Sequence, residues 1–110
     1  HRYLIHGDYD YSNVLAENRK VTAVLDWEQV RYGDFVYDIA YLDFYRSSVD
    51  LASRFREFYA ENGMNLTHFD ERFACYTIWM GLTGMKFFAK TDSLDGYRMS
   101  RKVVEKHLPQ

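Results

Sequence analysis

The chain has 110 residues, 47% of them hydrophobic and 18% aromatic, and a formal net charge of −2. That much apolar side chain can build a core, which excludes a disordered segment. The charge balance offers no basic surplus for a nucleic-acid partner, and a single cysteine, Cys75, excludes an internal disulfide.

The pattern changes near Gly33. Before it, short β-like runs alternate with polar punctuation; after it, the apolar spacing is helical. Tyr3-Leu4-Ile5 is a short apolar run that ends at His6-Gly7-Asp8. Val14-Leu15 and Val21 to Leu25 flank the polar stretch Glu17-Asn18-Arg19-Lys20, which predicts a β-hairpin with Asp26 at the end of its second strand. Four helices are then expected. The first runs from Phe35 to Ser47 with Val36, Ile39, Ala40 and Leu42 on or near one face. The second runs from Leu51 to Asn62, capped by Asp50 and stopped by Gly63, with Leu51, Phe55, Phe58 and Tyr59 as its apolar stripe. The third runs from Phe69 to Lys90, with Thr67 as its cap and Phe69, Phe73, Tyr76, Met80, Gly84 and Phe87 as its stripe. The fourth runs from Asp95 to Leu108 and stops before Pro109; Arg98, Arg101, Lys102 and Lys106 suit its solvated face. Cys75, in an apolar stretch, is expected to be a buried core thiol. No signal peptide is visible. The segment from Phe73 to Phe88 is too short, and too interrupted by Gly81, Thr83, Gly84 and Lys86, to span a membrane. A soluble, cytoplasmic chain without a membrane partner is the expectation.

The chemistry is concentrated in His6-Gly7-Asp8-Tyr9-Asp10-Tyr11-Ser12-Asn13. Phosphoryl transfer asks a protein mainly for positioning: a carboxylate that orients the attacking hydroxyl and accepts its proton, and oxygen ligands for metal ions. The kinase catalytic loop spaces its His, Asp and Asn as H-x-D-x-x-x-x-N, and His6, Asp8 and Asn13 have that spacing. Asp26 lies 18 residues after Asp8, where the hairpin returns it beside Asn13. A strand-end carboxylate and an amide oxygen suit magnesium, which takes one or two carboxylates and completes its shell with phosphate and water. Singly, each of these residues also reads as an ordinary turn or cap residue.

His6-Gly7-Asp8 followed by Asn13, then Val24-Leu25-Asp26-Trp27-Glu28, Gly33-Asp34 and Tyr37-Asp38-Ile39-Ala40, resembles the aminoglycoside phosphotransferases over roughly the first 40 residues. These are kinases of small molecules that are similar in fold to protein kinases. The resemblance implies an α+β, mostly helical fold: a protein-kinase-like C-terminal lobe with a short catalytic-loop hairpin followed by about four helices. It implies Asp8 as catalytic base, Asn13 and Asp26 as magnesium ligands, ATP as donor and a small hydroxylated acceptor, in first place a cationic aminoglycoside. His6 would brace the loop, and Asp34 and Asp38 would order the segment after Gly33 and cap the first helix. Glu28 stands where protein kinases place the Gly of Asp-Phe-Gly, and no Ala-Pro-Glu follows, which argues against a protein-kinase activation switch.

Residues 1–34 are expected to carry the catalytic and metal-binding loops, and residues 35–110 the acceptor side. A Gly-rich phosphate loop and a strand lysine are missing, and the first residue is His1, so an N-terminal lobe is expected to be absent from this chain. Isolated, such a lobe would be a poor catalyst and could self-associate through its bared apolar surface. Two alternatives stand beside this reading: a kinase of another amino-alcohol or sugar, and a non-catalytic kinase-like binding fragment.

Overall fold

A computed structural model describes residues 2–45 and 48–109. The chain forms two compact units, His1–Thr67 and His68–Gln110.

In the first unit, strand β1 (Tyr3–Ile5) pairs antiparallel with β4 (Arg31–Gly33), with Leu4 opposite Tyr32. Between them lies the hairpin of β2 (Val14–Glu17) and β3 (Lys20–Val24). Its two turn residues, Asn18 and Arg19, both have positive φ, 50° and 62°. That is the backbone of a turn whose twist matches the flanking strands. Thr22 is an extra residue on β3, since Leu15 faces Ala23 while Ala16 faces Val21. The predicted hairpin is present. β4 was not predicted: Arg31 and Tyr32 are exposed and Gly33 is half-buried, and only its partner strand gives it a reason to be extended.

Helix α1 (Val36–Tyr45) follows. The expected end of this helix at Ser47 lies outside the described residues. Val36, Ile39, Ala40 and Leu42 are buried, as their spacing predicts, and Phe44 joins them. Asp34 Oδ1 accepts a hydrogen bond from the Val36 N–H at 3.1 Å, so Asp34 serves the helix start as expected. Helix α2 (Leu51–Glu61) is capped by Asp50, whose Oδ1 accepts from the Ser53 N–H at 3.1 Å. It ends as predicted at Gly63, with φ +69°. The Gly63 N–H bonds to the Ala60 carbonyl and the Met64 N–H to the Tyr59 carbonyl, which satisfies the last carbonyls of the helix. Phe35 ties the unit together: its ring meets Tyr3 edge-on at 5.1 Å and Tyr59 at 4.7 Å. Phe58, expected in the stripe of α2, is instead 55% exposed.

The second unit is a hairpin of α3 (Phe69–Lys90) and α4 (Leu94–His107). Gly81 faces Ser100 and Val104, and Gly96 faces Phe88, so the helices run antiparallel. Phe69, Phe73, Met80 and Val104 are buried, and the four basic residues of α4 are exposed as expected. Three expectations fail here. Thr67 does not cap α3; its N–H turns to Asn65 Oδ1, and His68, in a left-handed conformation, precedes the helix. Phe87 is 60% exposed. Cys75 is exposed as well: it lies on a line with Glu71 and Trp79, at helical spacing, opposite the buried face. An apolar stretch says little about which face a member takes. Among the described residues, no helix is long and apolar enough to cross a membrane.

A Cβ added at Gly81 would run into the Val104 side chain and come within 3.2 Å of the Ser100 carbonyl. Gly81→Ala is therefore expected to cost about 1–3 kcal/mol. A lowered urea midpoint would show this, whereas an unchanged midpoint would mean that the helices part without cost.

Candidate active site

The chain leaves β1 through His6-Gly7-Asp8, and the turn is held from α1. The Asp38 carboxylate accepts from the His6 N–H at 2.7 Å through Oδ2 and from the Gly7 N–H at 2.9 Å through Oδ1. Gly7 has φ +85°, and a Cβ there would lie 2.5 Å from the Gln29 carbonyl, so only glycine suits the position. Asp38 thus has a different part from the one expected: it fastens the loop before the hairpin, not the segment after Gly33.

His6 is buried and braces the loop, as expected. The Asp8 N–H donates to His6 Nδ1 at 3.2 Å. That nitrogen must then be bare, so Nε2 carries the proton and donates to the Leu25 carbonyl at 2.7 Å. The ring also lies 4.7 Å from that of Trp27. One imidazole therefore connects the Asp8 loop to the end of the hairpin.

Asn13 closes a 3-10 turn over Tyr11–Asn13 that folds the chain back on Asp8. Its Nδ2 donates to the Asp8 carbonyl at 2.9 Å and to Asp8 Oδ2 at 3.3 Å. The amide orientation this requires leaves Oδ1 of Asn13 without a donor among the described residues. The Leu25 N–H donates to the Asn13 carbonyl at 2.8 Å, which brings the backbone just before Asp26 against Asn13. Asp26 follows in a left-handed conformation, φ 58°, at the head of a 3-10 turn over Trp27–Gln29. It is exposed, and no hydrogen bond or ion pair engages its carboxylate among the described residues. An amide oxygen and a carboxylate oxygen, both uncommitted and on adjoining backbone, are hard donors of the kind magnesium takes. No group of three or more His, Cys, Asp or Glu side chains suited to a metal occurs among the described residues. The donor set therefore fits an ion that draws its remaining ligands from phosphate and water.

Tyr41 was not foreseen. Its hydroxyl donates to Asp8 Oδ1 at 2.5 Å. Tyr37, Tyr41 and Tyr45 are spaced four apart on α1, with ring centroids 6.4 Å and 5.2 Å apart along the series. The Arg31 guanidinium sits 4.5 Å over the Tyr37 ring. Burial, and next the hydrogen bond to Asp8, push the Tyr41 phenol well above its usual range. Burial is also the main cause of upward shifts at Tyr45 and Tyr59. Unfolded tyrosines ionise near pH ~10. Stability from these three phenols is then fully present below that pH and is lost as pH rises toward their folded values. A denaturation midpoint that falls as pH rises above about 10, less steeply in Tyr41→Phe, is the expected result.

The sequence pattern of the phosphotransferase enzyme family matches residues 1–72. Hygromycin-B 4-O-kinase of Escherichia coli is 42% identical over 45 residues, which are 41% of this chain and 13% of that protein. Crystal structures of aminoglycoside phosphotransferase APH(4)-Ia superpose on 96% of this chain and 36% of theirs at 24% identity. The TM-score is 0.74 for a thermostable mutant in its apo form and 0.73 for a mutant in ternary complex with AMP-PNP and hygromycin B. The chain thus spans about a third of those solved structures, and at that identity the likeness speaks for the fold, which is the kinase-like one expected. Since the family pattern covers well over half of its residues, the chain belongs to the phosphotransferase enzyme family, with the fold of the aminoglycoside phosphotransferases.

Proposed function

We propose that the protein transfers the γ-phosphoryl group of ATP to a hydroxyl of a small molecule, in first place an aminoglycoside of the hygromycin type. The observation that carries this reading is the Asp8–Asn13 pair, hydrogen-bonded to each other in a loop pinned by Asp38. In this reading Asp8 is the base. The acceptor hydroxyl attacks the γ-phosphorus in line, its proton passes to Asp8, and the bond to the leaving ADP oxygen breaks. Asn13 and Asp26 would hold magnesium, which when bound neutralises charge on the phosphate oxygens. His6 keeps the two halves of the site in register by bonding both Asp8 and Leu25.

The acceptor assignment draws on the hygromycin-B kinase relative and on the hygromycin B bound in the solved ternary complex. Residues 1–34 would carry the catalytic and metal-binding loops and residues 35–110 the acceptor side, with Asp38 and Tyr41 reaching back to the first segment. A phosphate-clamping lobe would come from sequence outside these 110 residues. The cytoplasm, where ATP is at hand and an exposed thiol such as Cys75 stays reduced, is the compartment that suits this chemistry.

The test is transfer of label from ATP to a panel of aminoglycosides by the full-length protein, with and without magnesium. Magnesium-dependent labelling of hygromycin B or a relative supports the proposal. Mg-ATP binding without labelling of any member would move the acceptor to another amino-alcohol or sugar. A protein that binds no nucleotide would be a kinase-like binding domain.

A further inference from the structure

We infer that Tyr41 is a positioning residue for the base, fixing the angle at which the Asp8 carboxylate meets the acceptor hydroxyl. The inference rests on the reading of Asp8 proposed above. The Asp8 carboxylate is gripped from two sides. Tyr41, one turn along α1 from Tyr37, donates to Oδ1 at 2.5 Å, and Asn13 donates to Oδ2 at 3.3 Å. The two contacts are unequal. The short bond from a neutral hydroxyl to a charged carboxylate is of the strong kind, and the longer one is weak. Oδ1 is therefore committed to Tyr41, and Oδ2 is the oxygen left able to take up a new donor.

The phenol is suited to this part. Burial holds it in the protonated, donating form, and α1 gives it a fixed base. The same helix carries Asp38, whose carboxylate grips the loop at His6 and Gly7. Backbone and side chain of the loop are thus set from one rigid element, which is how a base is kept within the narrow geometry that transfer demands. Partial rotation of the Asp8 carboxylate about its last bond would turn Oδ2 away from the acceptor, and the strong bond from the Tyr41 hydroxyl, more than the weak one from Asn13, opposes it.

The experiment compares full-length wild type with Tyr41→Phe, which removes one oxygen and keeps the ring. Three quantities are read: kcat for phosphate transfer, KM for ATP and for acceptor, and the thermal unfolding midpoint. The expected result is a kcat about tenfold lower, as for one lost hydrogen bond to a charged group. KM for ATP and acceptor should stay within about twofold, since the change leaves the groups proposed to hold ATP untouched. A kcat equal to wild type would overturn the inference. So would a fall in kcat accompanied by a raised KM for ATP and a lowered unfolding midpoint, which marks a general structural defect. A wild type that transfers no phosphate to any acceptor would remove the underlying reading itself, and is told apart because it concerns the unmutated protein.

Discussion

Asp38→Asn is expected to loosen the loop and nearly silence the protein, although the change is one atom at a residue that touches no reacting group in this account. Asp38 presents two acceptor oxygens to two N–H groups, those of His6 and Gly7, at 2.7 Å and 2.9 Å. Both residues are buried, so water does not readily take its place. Asparagine keeps one acceptor and turns an NH2 group toward the other N–H. One buried donor is then unsatisfied and faces a second donor. A cost of about 2–4 kcal/mol follows, close to that of Asp38→Ala. The functional loss should be larger than stability alone explains, because the freed segment is the one that aims Asp8. A displacement near 1 Å at such a site can cost about 100-fold in rate. Urea unfolding and the transfer assay together check this. Wild-type stability in Asp38→Asn would mean that Gly7 and the β1–β4 pairing hold the turn unaided.

The local features of this fold were legible because each has a local cause. Asn18 and Arg19 between two β-branched runs made a hairpin, and Asp50 and Gly63 marked the two ends of α2 through the same cap bonds that the structure contains. The limits of α3 could be read from where its periodicity starts and stops. The burial of α1 was legible too, since Val36, Ile39, Ala40 and Leu42 recur at helical spacing.

What escaped depends on distant partners. β4 is extended because β1 pairs with it, and nothing in Arg31-Tyr32-Gly33 says so. Asp38 reaches back 32 residues to His6, and Tyr41 reaches back 33 to Asp8. A tyrosine repeated every four residues reads as one helix face; whether that face meets core, solvent or a carboxylate is decided by the fold. Cys75 and Phe87 fail for the same reason, as apolar residues on a helix whose buried side is set by α4. The geometry of the loop was more legible. The spacing of His6, Asp8 and Asn13 suggested a shared loop, and the structure joins all three by hydrogen bonds, with Asp26 one residue past the Leu25 that pairs with Asn13.

Asp8→Asn in the full-length protein tests the central claim most directly. Asparagine matches aspartate in shape and keeps an oxygen for Tyr41; its NH2 then displaces only the weak 3.3 Å bond from Asn13, which keeps its 2.9 Å bond to the carbonyl of residue 8, so the loop should hold and Mg-ATP should bind nearly as before. What is lost is the carboxylate proposed to orient the acceptor hydroxyl and take its proton. A positioned base contributes about 100- to 10,000-fold. Single-turnover transfer from labelled ATP to hygromycin B, or to whichever acceptor the panel identifies, should therefore slow by that factor while nucleotide binding and the unfolding midpoint stay at wild-type values. Transfer at the wild-type rate in Asp8→Asn would contradict the account, since the group assigned to move the proton would then be dispensable.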